Sequence, residues 1–159
     1  MAEKERLLLT SILGRTLITI FHIGSTVIPT LWAKPIIDLM PVVSSLEELD
    51  QHRTSIEGIG YQWRGEYGLP GRRYCVKINP VTSRKLIHLH CYVAGSFEID
   101  RHLAFRDYLI SNPDVAYAYH QEKIRCQKLH PDDSQAYSDC KSDWIKRVEA
   151  KALLHYATK

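Results

Sequence analysis

The sequence predicts a single α+β layer fold, and three observations lead there. Short runs rich in β-branched and aromatic residues fill the first part of the chain, helix-capping signals gather in the second, and no repeat, low-complexity tract or linker separates them. With 159 residues, 45% apolar content and a mean hydropathy of -0.24, the chain is the size of one domain that can bury a core, and residues 1–159 are assigned to it.

The elements follow in order. Residues 2–13 predict a short helix, and TLITIFHI (16–23) predicts a strand that ends at Gly24, where the Gly24-Ser25 pair opens a turn. PIIDLMPVV (35–43) reads as a second strand. Ser45 with Glu48 three residues later forms a capping box that starts a helix through residue 57, and Gly58 and Gly60 stop it. RRYCVKIN (72–79) and LIHLHCYV (86–93) predict two further strands of one mixed sheet, joined by the turn-forming NPVTSRK. Three helices follow, the first capped by Ser96 and the others starting at Asn112-Pro113 and Pro131-Asp132. In the last, Tyr137, Cys140, Trp144 and Val148 share a face, which predicts packing on the sheet.

Charge and cysteine usage exclude several classes. A net charge of +3 with no basic run argues against a duplex nucleic-acid partner. The N-terminal MAEKERLLLTSILGR carries acidic residues and no small-residue cleavage site, and no apolar run approaches about 18 residues. Secretion and membrane spanning are therefore not expected, and a cytoplasmic location is. Cys75, Cys91, Cys126 and Cys140 lack Cys-x-x-Cys spacing, so they are expected to be buried, reduced thiols rather than a zinc or redox pair.

Strand alternation sorts the polar residues by face. In 72–79, Arg73, Cys75 and Lys77 oppose Tyr74, Val76 and Ile78; in 86–93, His88, His90 and Tyr92 oppose Leu89, Cys91 and Val93. The second strand places Asp38 and Met40 opposite Ile37 and Leu39. If the polar sets share a side, Asp38, Arg73, Lys77, His88 and His90 converge on an open face suited to a phosphate, with or without a metal ion. The plainer reading of Lys77 is a solvated residue on the wet face of an antiparallel sheet. Two imidazoles at i and i+2 on a strand point the same way and can share a ligand, although His-x-His alone is a weak signal.

HIGST (22–26), AKPIID (33–38), GYQWRGEYGLPGRRY (60–74), HLH (88–90), RHLAFRDYL (101–109), HPDD (130–133) and KSDW (141–144) occur in this order across about residues 16–148. Through them the chain resembles the GrpB-like family, whose fold is similar to that of the nucleotidyltransferase superfamily. The resemblance implies a nucleotidyltransferase-like mixed β-sheet packed by helices on one face. It also implies a Gly-Ser turn that holds phosphate and a strand-borne acidic pair that holds two divalent ions. This chain has Met40 at the second position of the pair and His88 and His90 where a third acid is expected. The candidate catalytic and metal-ligating set is thus Asp38, His88 and His90, for a divalent ion (Mg, Mn or Zn), imidazole being a poor ligand for Mg²⁺. His22, Gly24, Ser25, Lys34 and Arg73 are the candidate phosphate contacts, with a capping or core role equally open for His22 and a solvated one for Lys34. Arg101 and Asp107 read as a structural brace, and Lys141 and Asp143 as helix surface. Family members carry a Tyr/Trp-containing segment before the first helix, so this chain is expected to have a shortened start.

The leading functional expectation is a nucleotide or phosphate-ester binding protein with an anionic small-molecule partner, or a metal-dependent nucleotidyl or phosphoryl transferase with an incomplete acidic pair. A non-catalytic accessory module in coenzyme A metabolism or protein folding is a second, because the resemblance includes fusions to dephospho-coenzyme A kinase. A hydrolase built on Asp38, His88 and His90 is a third.

Overall fold

The computed structural model of the protein describes residues 2–24 and 36–157. Helix α1 (Ala2–Leu13) leads through a 3₁₀ turn into strand β1 (Leu17–Ile23); β2 (Ile37–Val43) is followed by two short helices, α2 (Leu46–Gln51) and α3 (Arg53–Gly58). Strands β3 (Tyr61–Trp63), β4 (Arg72–Ile78) and β5 (Lys85–Val93) come next, then helices α4 (Phe97–Ser111), α5 (Pro113–Leu129) and α6 (Ser134–Ala157). The strands form one mixed sheet in the order β1-β2-β5-β4-β3, with β2 and β5 parallel and the other neighbours antiparallel. The α+β class and the mixed sheet are as the sequence predicts, with β3 added at the edge.

Alternation in β5 decides which residues meet which layer. Ile87, Leu89 and Cys91 join Leu39, Val43, Ile20 and Cys75 in a core covered by Leu9 and Leu13 of α1, Leu49 of α2 and Ile56 of α3. On the opposite face Met40, Val42, Ile23 and Tyr92 pack with Ile99 and Leu103 of α4. Helices therefore stand on both sides of the sheet, which corrects the expectation of helices on one face: α1–α3 cover one side and α4 part of the other. Because Phe97–Ser111 directly follows β5, its apolar positions are the nearest cover for the β1–β2 end of the other face.

The helix starts are partly as predicted. Ser45 accepts the Glu48 amide (3.2 Å) and Ser96 the Glu98 amide (3.3 Å). The helix expected through residue 57 breaks at His52 into α2 and α3. Asn112 does not cap α5; its side-chain amide instead donates to the Tyr108 carbonyl (2.8 Å) at the end of α4, while Pro113 opens α5. The α6 cap is Asp133, which accepts the Ala136 amide (3.0 Å).

Two expectations are corrected in the helical layer. The Tyr137–Val148 face of α6 packs not on the sheet but on α4 and α5: Trp144 stacks on Tyr119 (centroids 5.3 Å apart, 9° between planes) and Val148 packs with Leu109 and Ala116. Cys126 and Cys140, expected to be reduced, form a disulfide with Cα atoms 5.8 Å apart, because α5 and α6 fold back as a hairpin. Cys75 and Cys91 are free and buried, as expected. Burial drives the Cys75 thiol up to about 12 and the Cys91 thiol also well up, so both stay protonated at neutral pH. With 14 residues separating the bonded cysteines, replacing both by serine is expected to cost about 3 kcal/mol of stability relative to the oxidised protein. Urea unfolding with and without a thiol reductant measures this: reductant should destabilise the native sequence and leave the double variant unchanged.

Candidate functional site: a carboxylate between two imidazoles

Asp38 is the second residue of β2, and the parallel register sets it beside His88 of β5. His90, two residues on, points the same way. The His88 Nδ1 is 3.3 Å and the His90 Nε2 3.0 Å from the same Asp38 oxygen, Oδ1. All three side chains are half-buried. Burial alone pushes the Asp38 carboxyl up, but hydrogen bonds from His88 and His90 and their charge more than reverse this and hold it well below the usual carboxylate range. The far nitrogens, His88 Nε2 and His90 Nδ1, are buried and have no hydrogen-bond partner among the described residues.

The surroundings fix this cluster. Gly24 has φ +79, and a Cβ built on it would lie 2.5 Å from Asp38 Oδ2, so the carboxylate occupies space that only glycine leaves. The Tyr74 ring packs against both imidazoles, with centroids 5.6 Å from His88 and 5.3 Å from His90. Burial and the Asp38 charge raise its phenol to about 12. His102 of α4 sits 5.6 Å from the His90 ring, and its Nε2 faces the Tyr92 hydroxyl and an Arg101 nitrogen, each at 3.3 Å. Burial, then the His90 and Arg101 charges, lower it to about 3, so it is neutral and accepts at Nε2. Arg101 itself is held between Glu98 and Glu149. Beside Asp38 and His90 a pocket of about 190 Å³ opens, lined also by Gly24, His102, Phe105 and Arg106.

The antiparallel β4–β5 register corrects the predicted face of the basic residues. Tyr74 pairs with His90 and Val76 with His88, whereas Arg73 pairs with Cys91 and Lys77 with Ile87. Directly opposed residues share a face, so Arg73 and Lys77 lie on the α1–α3 side. There Arg73 donates to both Asp50 oxygens (2.7 and 3.1 Å) and Lys77 Nζ donates to Glu5 (2.9 Å). His22 is likewise turned away: it pairs with Leu39, on the face opposite Asp38, and burial and then Arg6 lower its pKa. Its carbonyl accepts from Arg106 (3.3 Å). Ser25 and Lys34 lie outside the described residues.

The basic residue on the cluster's face is Arg72, which pairs with Tyr92. Its guanidinium lies 4.9 Å from the Tyr74 centroid and donates to the carbonyls of Tyr67 (2.7 Å) and Glu66 (3.2 Å). Among the described residues it has no carboxylate partner within 4.0 Å, unlike Arg73, Arg101 and Arg106. The GRRY turn offered two consecutive arginines, and only the partner strand decides between them. The brace read at Arg101 is present, but it runs to Glu98 and Glu149, while Asp107 pairs with Arg106 (2.8 Å).

The donor set fits a metal ion. Ligating atoms of Asp38, His88 and His90 all lie within 4.8 Å of one another. The O···N separations of 3.0 and 3.3 Å are close to the ~3.3 Å edge of a tetrahedron with metal–ligand bonds of ~2.0–2.1 Å. Two imidazoles and one carboxylate favour Zn²⁺, Mn²⁺ or Fe²⁺ over Mg²⁺. Met40, at the position of a second acid, is fully buried among Ile23, Val42 and Tyr92, so no second carboxylate stands there.

Fold and site together define an α+β protein with a five-stranded mixed sheet that carries a carboxylate–bis-imidazole cluster on one face. The chain belongs to the GrpB protein family, whose model matches residues 1–151. It is 42% identical over 150 residues to UPF0157 protein YqkA of Bacillus subtilis, covering 94% of this chain and 42% of that protein. It is 28% identical over 150 residues to the glutamate-rich protein GrpB of Alkalihalophilus pseudofirmus, covering 92% of this chain and 85% of that one. The chain thus spans less than half the length of YqkA. The crystal structure of conserved protein GrpB from Enterococcus faecalis is similar with a TM-score of 0.89 and 41% identity, over 97% of this chain and 91% of that one. Among the described residues no helix is long and apolar enough to cross a membrane.

Proposed function

We propose that the protein binds a divalent transition-metal ion through Asp38, His88 and His90 and, beside it, the phosphate of a small ester, in the manner of a nucleotidyltransferase-like fold with a single metal. The observation that carries this reading is the convergence of His88 Nδ1 and His90 Nε2 on one Asp38 oxygen (3.3 and 3.0 Å). When bound, such an ion supplies Lewis-acid polarisation of a phosphoryl oxygen. The residues themselves supply the rest. Asp38 supplies the carboxylate ligand and His88 and His90 their unprotonated nitrogens, Gly24 leaves room for the carboxylate, and Arg72, which has no carboxylate within 4.0 Å among the described residues, offers its guanidinium to the anion. His102, neutral and accepting from Arg101 and Tyr92, holds the wall of the pocket without adding charge. Burial of Met40 favours ligand binding, or a one-metal reaction, over two-metal transfer.

Titration with ribose 5-phosphate in the presence of Mn²⁺ tests the assignment. Binding should require the metal and should weaken about 10- to 100-fold in Arg72→Ala, the range for losing a charge-assisted hydrogen bond. Arg73→Ala should leave it unchanged, since that side chain is bound to Asp50 on the other face. Metal-independent binding, or a loss in the Arg73 variant instead, would refute the reading.

A further inference from the structure

A second set of metal-ligating side chains stands away from the sheet, where α5 meets α6. Glu122 and Cys126 are four residues apart on α5 and therefore lie on one face of it, the face that meets Cys140 of α6. A Glu122 oxygen and the two sulfurs all lie within 4.8 Å of one another, with Glu122 Oε1 3.7 Å from Cys126 Sγ. A disulfide clasp needs only the two sulfurs, and the carboxylate adds nothing to it. Arg125 holds that carboxylate in place, donating to both of its oxygens (3.1 and 2.5 Å), and its Nη2 stands 3.8 Å from the same sulfur. Cys126 is buried, whereas Cys140 is half-buried and lines an open pocket of about 620 Å³ together with Glu122, Arg125, Asp143, Lys146 and Arg147.

The oxidation state of the two cysteines decides what this set can do. In the disulfide the sulfurs carry no charge to give a metal. Two equivalents of a small thiol, RSH, reduce the bond to two protein thiols with release of RSSR, and Zn²⁺ then takes both as thiolates with release of two protons. The sulfurs must part to the ~3.8 Å edge of a tetrahedron with Zn–S bonds of ~2.3 Å, a separation that side-chain rotation reaches between Cα atoms 5.8 Å apart. Thiolate ligands select Zn²⁺ over Mg²⁺ and Ca²⁺. Glu122 is the third ligand, and the fourth position opens on the pocket. Three anionic ligands on a divalent ion leave one negative charge, which the pocket's Arg125, Lys146 and Arg147 balance. We propose that Glu122, Cys126 and Cys140 form a thiolate zinc site in the reduced protein, exclusive with the disulfide. Small thiols open the site, whereas oxidation by RSSR re-forms the bond, returns two RSH and expels the ion. No residue of the strand cluster takes part.

Co²⁺ distinguishes the two clusters, because sulfur-to-metal charge transfer in the near ultraviolet arises from thiolate ligands and not from imidazole or carboxylate. Anaerobic titration of the tag-free protein, reduced with a phosphine, should develop this band to saturation at one Co²⁺ per chain, and added Zn²⁺ should abolish it by displacement. The same protein oxidised with glutathione disulfide should show no band. Glu122→Gln, which keeps both cysteines, should weaken the Co²⁺ binding read at the band by about 10-fold or more. Cys126→Ser/Cys140→Ser should lose the band although the buried Cys75 and Cys91 remain. No band in the reduced native protein, an equal band in the double cysteine variant, or unchanged binding in Glu122→Gln overturns the proposal. Loss of the helical circular dichroism on reduction overturns it as well, since the site needs the α5–α6 hairpin. Metal binding at the strand cluster is read in the oxidised protein, where the sulfurs take no ion.

Discussion

Replacing His88 and His90 together by alanine is expected to lower the affinity for Zn²⁺ or Mn²⁺ by more than about 1,000-fold, with the protein still folded. Loss of a group that merely orients a metal ligand costs 10- to 100-fold, and here both proposed imidazole ligands are removed. The fold should persist because the imidazoles face away from the Ile87, Leu89 and Cys91 side of β5, which builds the larger core. The variant also leaves Asp38 without the two donors that keep its carboxyl ionised despite burial, so its pKa should rise. Elemental analysis of tag-free native and variant protein, with a Mn²⁺ titration of each, reads the effect directly. Equal metal content in the two would remove both histidines from the site and leave the Asp38 contacts as ordinary hydrogen bonds.

Much of this site was legible because strand alternation is a local property. His88 and His90 share a face whatever the partner strand, and Asp38 belongs with Met40 rather than Leu39 for the same reason. What alternation cannot give is the register between strands, and there polarity was a poor guide. Grouping Arg73 and Lys77 with the histidines assumed that charged residues collect on one open face. In the folded chain the α1–α3 face is lined with its own acids, Asp50 and Glu5, which the two cations meet. The long lysine and arginine stems let those charges sit at the edge of an apolar layer. Alternation sends Arg72 and Arg73 to opposite faces, so once Arg73 was grouped with the histidines Arg72 was excluded, and the register makes Arg72 the residue on the site face. The Cys126–Cys140 disulfide lacked a signal of another kind: its partners are 14 residues apart on two helices, and only the hairpin brings them together. The capping residues Ser45 and Ser96 were readable because a cap is a three-residue pattern, whereas the packing of α6 on α4 and α5 depends on how three helices divide the available apolar surface.

Glu5→Ala is expected to destabilise the protein by about 3 kcal/mol or more, without affecting metal or phosphate binding. Glu5 is one of two buried charged residues among those described, 5% exposed, and its Oε1 accepts both the Tyr61 hydroxyl (2.7 Å) and Lys77 Nζ (2.9 Å). It therefore ties α1 to β3 and β4 at once. Removing it leaves a buried hydroxyl without its acceptor, which costs about 1–3 kcal/mol. It also leaves a lysine only 20% exposed without its counter-charge, and breaking one side of such a pair costs about 3–5 kcal/mol when burial is complete. Lys77 keeps its place over the Tyr61 ring, 5.3 Å from the centroid, and can lean toward water, so the lower part of that range applies. Lys77→Met in the Glu5→Ala background should recover part of the loss, because it removes the stranded charge and keeps the apolar stem. Urea unfolding of the two variants, followed with the ribose 5-phosphate titration, tests the register as well as the energy. A stable Glu5→Ala protein with altered ligand affinity would place Lys77 on the histidine face, whereas a lowered unfolding midpoint at unchanged affinity is the result that the β4–β5 pairing requires.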